Sequence, residues 1–129
     1  MMNERYLTQR ENQNDLTLVL EEFTKQINSL PSMRSTLNGW HPEFYIQERD
    51  TGYTYEIQIE NSLIRQILLV STEPSDDALL MRADYEILHE IFSGTLSPLG
   101  AYTDGLLEVY GNQKDQIKLD VIALTLWGA

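Results

Sequence analysis

Apolar residues along this chain recur first at helical spacing, then in alternation, then at helical spacing again, and each change of period marks an element boundary. Leu16, Val19, Leu20, Phe23, Ile27 and Leu30 fall on one side of a predicted amphipathic helix, with Glu21, Glu22 and Lys25 on the other. Asn14 or Asp15 is available as its cap. Pro31 disfavours helix in the residue before it and starts a short second helix through Ser32 to Asn38, which Gly39 ends.

After Pro42 the period becomes that of a strand. Phe44 and Ile46 mark a first strand over residues 43–50, and Thr51 with Gly52 makes a turn. Tyr53, Tyr55, Ile57 and Ile59 then alternate with Thr54, Glu56, Gln58 and Glu60, the pattern of a strand with one solvated face. Asn61 and Ser62 turn the chain into a third strand over 63–71, and a loop over 73–77 precedes a short fourth strand over 78–82.

Helical spacing returns with Tyr85, Leu88, Ile91 and Phe92, capped by Asp84 and ended by Gly94. Ser97 and Pro98 open a further short helix to Thr103, residues 106–110 read as a fifth strand, and Gln113 to Trp127 as a last helix. The last segment also alternates at Ile117, Leu119 and Val121. Asn112, with Asp115 three residues on, is an N-terminal capping pattern and favours the helix. Such a helix carries more apolar surface than one contact with a sheet consumes.

Length and composition narrow the class. The 129 residues suit one domain, residues 15–129, preceded by a polar and frayed segment over 1–14. No run is long and apolar enough for a signal peptide or a membrane span, so a cytoplasmic protein without stable membrane insertion is expected. Absence of cysteine excludes disulfides and thiolate chemistry. With 9 basic and 20 acidic residues the net charge is −11, without a basic cluster. Nucleic acid is therefore not an expected partner, and anionic membrane surfaces are disfavoured.

Motifs for catalysis are weak. Glu86, His89 and Glu90 include a Glu-x-x-His spacing, but no second pair exists to complete a metal site, and His41 stands between Trp40 and Pro42. Ser93 and Ser97 lack a nucleophile elbow and suit helix ends. Asp104 and Glu108 fall on a turn and a strand, and Lys114 lacks the glycine spacing of a phosphate loop. Neither catalytic residues nor a cofactor or metal are expected.

The order of elements, with Ala83-Asp84-Tyr85-Glu86, Ile91-Phe92-Ser93-Gly94, Leu96-Ser97-Pro98, Ala101-Tyr102, Asp104-Gly105-Leu106-Leu107-Glu108-Val109 and Gly111, resembles the sterol carrier protein-2 family, in its small stand-alone bacterial form. The resemblance implies an α+β fold, a five-stranded mostly antiparallel sheet with helices packed on one face. It also implies non-catalytic binding or transfer of a fatty acid, acyl chain or sterol-like lipid in a pocket between sheet and helices. On this reading Leu88, Ile91, Phe92, Leu96, Leu99, Tyr102, Val121, Leu124 and Trp127 line the pocket. The alternative is an interaction module with a filled core that forms a homodimer or docks on a partner enzyme.

Overall fold

In the computed structural model, which describes residues 15–128, helix α1 (Thr17–Ser29) breaks at Leu30 and continues after Pro31 as α2 (Pro31–Leu37). The expected frayed segment 1–14, and Asn14 as a candidate cap, lie outside the described residues. Leu16 holds the N-cap position of α1, and Asp15, one residue earlier, accepts a hydrogen bond from the Thr17 amide at 2.9 Å. Leu20, Phe23 and Ile27 are buried along α1, the stripe read from their spacing.

Strands β1 (Phe44–Glu48), β2 (Thr54–Glu60) and β3 (Leu63–Val70) form an antiparallel meander. Asn61 and Ser62 join the last two with positive φ at both positions, as a two-residue hairpin turn requires. Beyond β3 the chain crosses back to the far side of β1, where β4 (Leu79–Ala83) runs parallel to it, and β5 (Glu108–Tyr110) adds antiparallel to β4. The strand order is β3-β2-β1-β4-β5, a mixed sheet in which three of the four pairings are antiparallel.

Between β4 and β5 lie α3 (Tyr85–Phe92) and α4 (Pro98–Thr103), and α5 (Gln113–Trp127) closes the fold. Asn112 caps α5 by accepting from the Asp115 amide at 2.9 Å, and Ser97 caps α4 by accepting from Gly100 at 3.2 Å. Asp84 occupies the N-cap of α3 but turns its side chain to Arg49 at 3.2 Å. The Tyr85 amide is met instead by Asp50 at 3.0 Å. The fifth strand is shorter than its apolar pattern suggests, because the Leu106 and Leu107 amides both return to the Ala101 carbonyl at the end of α4.

One side of the sheet, including Phe44, Ile46, Tyr55, Ile57, Leu79 and Met81, joins apolar residues from all five helices in a single core. The other side carries Gln47, Glu56, Gln58, Gln66, Arg82 and Glu108, so the polar face expected from β2 continues across the sheet, with Tyr45, Gln47 and Thr54 buried within it. No helix among the described residues is long and apolar enough to cross a membrane.

Candidate functional site

Helix α5 is held over the sheet by two contacts at its N-terminal half. The Trp40 indole donates to the Asp115 carboxylate at 2.7 Å, and Lys118 Nζ donates to the Thr36 carbonyl at 2.6 Å. On another side of α5, Gln116, Leu119, Asp120, Ala123, Leu124 and Trp127 recur three and four residues apart and share one face. Between that face and the sheet lies a cavity of about 420 Å³, within the range of small-molecule sites.

Phe44 of β1, Met81 of β4 and Val109 of β5 supply its sheet side, together with Leu107. These strands are neighbours through the crossover, so residues far apart in the chain meet there. Three rings crowd one end. Phe23 and Phe92 meet edge to face at 4.9 Å between centroids, Phe23 stacks on Trp127 at 5.8 Å, and Phe92 meets Trp127 edge-on at 5.9 Å. The cavity opens between α4 and α5, where lining residues Leu99, Tyr102 and Leu124 are 69%, 54% and 60% exposed.

Of the nine residues proposed from the sequence, the fold brings Phe92, Leu99, Tyr102, Leu124 and Trp127 to the cavity. The other four do not line it. Leu88 and Ile91 are fully buried in the core beneath α3, and Leu96 packs half-buried against that core in the link to α4. Val121 stands on the exposed side of α5, one position out of phase with the face formed by Asp120 and Leu124. Sequence reasoning missed Phe23 and the sheet residues, whose apolar pattern marks a core face but not which part of it stays open. It also missed Gln116, Leu119 and Asp120, a face that the 3.6-residue period of α5 does contain.

Polarity in the lining is concentrated on α5. The Gln116 side-chain amide donates to the Gly111 carbonyl at 2.8 Å, and exposed Asp120 is the one ionisable acid or base among the described lining residues other than Tyr102.

Two further polar clusters lie apart from the cavity. On the open sheet face Glu108 pairs with Arg49 at 2.8 Å and Arg82 at 3.2 Å. Its carboxyl is held below the usual range first by the Tyr110 hydroxyl and then by these arginines. On the core face Glu48, 1% exposed, accepts from the Tyr55 hydroxyl and from Thr51, both at 2.6 Å. Burial raises the Glu48 carboxyl, and burial with the neighbouring Glu48 raises the Tyr55 phenol. Tyr55 also accepts from the Leu16 amide at 3.2 Å, so this cluster fastens the start of α1 to the sheet.

Candidate catalytic groups from the sequence have local partners. Ser93 Oγ donates to the His89 carbonyl at 2.6 Å, and His41 Nδ1 lies 3.2 Å from the Ile59 carbonyl oxygen. Among the described residues no three His, Asp or Glu side chains gather as a metal site.

No protein-family model matches the sequence, and no curated protein matches it. Solved structures do. Sterol carrier protein 2 superposes with a TM-score of 0.64 at 20% identity, over 86% of this chain and 92% of its own. The palmitated SCP2L2 of Aedes aegypti gives 0.57 at 16% identity, over 84% and 94%. UbiJ-SCP2, a ubiquinone synthesis protein, gives 0.58 at 11%, over 82% and 90%. The chain has a sterol carrier protein 2-like fold.

Proposed function

We propose that this chain binds a hydrophobic small molecule, an acyl chain or sterol-like lipid, in the cavity beneath α5 and carries it without chemical change. The observation that carries this reading is the open apolar cavity of about 420 Å³ between sheet and helices. Burying the ligand there removes its apolar surface from water at about 25 cal/mol per Å². Phe92, Leu99, Tyr102, Leu124 and Trp127, joined by Phe23 and Met81, form the binding wall on this reading. The palmitated state of one solved relative supports an acyl chain as a ligand type. Native mass spectrometry of protein purified without delipidation, followed by titration of the stripped protein, tests the proposal. A bound lipid and saturable rebinding are expected; an empty protein that takes up no fatty acid, acyl-CoA or sterol rejects it.

A second reading is supported by the exposed apolar residues Leu106, Ile117 and Val121 beyond the cavity rim, and by the ubiquinone synthesis protein among the structural relatives. In it the chain forms a homodimer or docks on a partner enzyme through α5. Sedimentation of the ligand-free protein separates the two: a stable dimer that loses its affinity on Ile117→Lys supports docking, and a monomer at all concentrations removes the homodimer.

A further inference from the structure

We infer that the cavity selects an amphiphile whose polar end is a hydrogen-bond donor, a hydroxyl or an amine, and rejects a free carboxylate. The inference rests on the cavity being a binding site. It follows from the polarity of the lining rather than from the fold.

The two polar residues of the α5 lining, Gln116 and Asp120, flank apolar Leu119 toward the start of the helix, and the lining beyond them, through Ala123 to Trp127, is apolar with Leu124 at the rim. Gln116 to Trp127 spans about 16 Å along a helix, so a chain-like ligand has a distinct head end and tail end. The ring cluster of Phe23, Phe92 and Trp127 receives the tail. The head then lies at the mouth beside exposed Asp120 and the Tyr102 side chain.

What waits there is one acidic side chain, Asp120, beside the neutral polar groups of Gln116 and Tyr102. Asp120 is the one charged side chain of the described lining, and the Gln116 amide, one N–H of which goes to Gly111, keeps its carbonyl oxygen and its second N–H. No Lys, Arg or His is among the described lining residues. The two lysines of α5 fall on the side of the helix away from the cavity, and Lys118 is further held by the Thr36 carbonyl and by the Trp40 ring, 6.0 Å from its centroid. A carboxylate at the mouth would face Asp120 without a compensating cation, in a protein of net charge −11. A hydroxyl or an amine would donate to the same group.

Three amphiphiles of equal chain length separate these cases: 1-dodecanol, dodecylamine and dodecanoate, each titrated below its aggregation concentration at neutral pH and followed by tryptophan fluorescence. The alcohol and the amine are expected to bind at least about tenfold more tightly than the carboxylate. Asp120→Asn should narrow that gap, and Asp120→Lys should place dodecanoate ahead of dodecylamine. Because Asp120 is exposed, both variants are expected to fold, which circular dichroism checks. Dodecanoate binding as tightly as dodecanol to the native protein, or an order unmoved by Asp120→Lys, overturns the selectivity and leaves the binding reading standing. Failure of all three to bind overturns the selectivity and the acyl-chain form of the binding reading, which then stands or falls on the sterol titration.

Discussion

Gly94 and Trp127 pack so closely that a Cβ on the glycine would stand 3.3 Å from the indole Cδ1 and 3.4 Å from Nε1. The glycine ends α3 at φ +82°, a conformation that side chains with a Cβ rarely adopt, and the indole closes the ring cluster of the cavity. Gly94→Ala therefore strains the backbone and pushes on Trp127. A loss of about 1–3 kcal/mol in denaturant unfolding is expected, with a shifted tryptophan emission. An unchanged spectrum and stability would show that the end of α3 yields without disturbing the cavity.

Trp40 and Asp115 join the chain before β1 to the first turn of α5. Trp40→Phe keeps most of the packing and removes the indole donor. A half-buried hydrogen bond to a carboxylate contributes about 1.5–3 kcal/mol, so a loss near the lower end is expected. Amide exchange in the first turns of α5 should accelerate more than exchange in α1. Uniform acceleration across the chain would mean that the bond stabilises the whole fold without specifically holding α5.

Glu48 gives stability a defined pH dependence. Burial raises its carboxyl in the folded chain, against hydrogen bonds from Thr51 and Tyr55, whereas in the unfolded chain it ionises near about 4.3. Between those two values the folded state holds a proton that the unfolded state has released, so this contribution is fully present below the unfolded value and is lost as pH rises through the folded one. Glu48→Gln removes the ionisation. Its Tm is expected above that of the native protein at pH 7, with the difference closing near pH 4. A difference of equal size at both pH values would contradict this.

Asn28 on α1 grips the outer strand of the sheet: its side chain donates to the Ile64 carbonyl and accepts from the Ile64 amide, both at 2.9 Å. The pair occupies backbone groups that would otherwise be open at the β3 edge. Asn28→Ala should cost about 1–2 kcal/mol and introduce concentration-dependent association measurable by light scattering. Destabilisation without association would confine the role of Asn28 to the fold.

The elements were largely legible because their signals are local. Tyr55, Ile57 and Ile59 alternate regardless of what lies above them, and Pro31 breaks the helical stretch by its own geometry. Where neighbours intervene, local reading misses the detail: the Tyr85 amide takes Asp50 rather than Asp84, and Leu106 and Leu107 are drawn out of a strand by Ala101. The same divide separates Phe92 and Trp127, which reach the cavity, from Leu88 and Ile91, whose equally apolar side chains fill the core.

By itself the amino-acid sequence determined the periods, the turns, the acidic charge and the absence of sulfur chemistry, since each depends on residues close in the chain or on composition alone. Tertiary structure decided which apolar surface stays uncovered. The crossover sets β4 between β1 and β5, and Trp40 and Lys118 fix the rotation of α5, so Gln116, Asp120 and Trp127 face a cavity while Val121 faces outward. Helical spacing states that residues share a face; only packing against distant elements determines whether that face meets core, cavity or solvent.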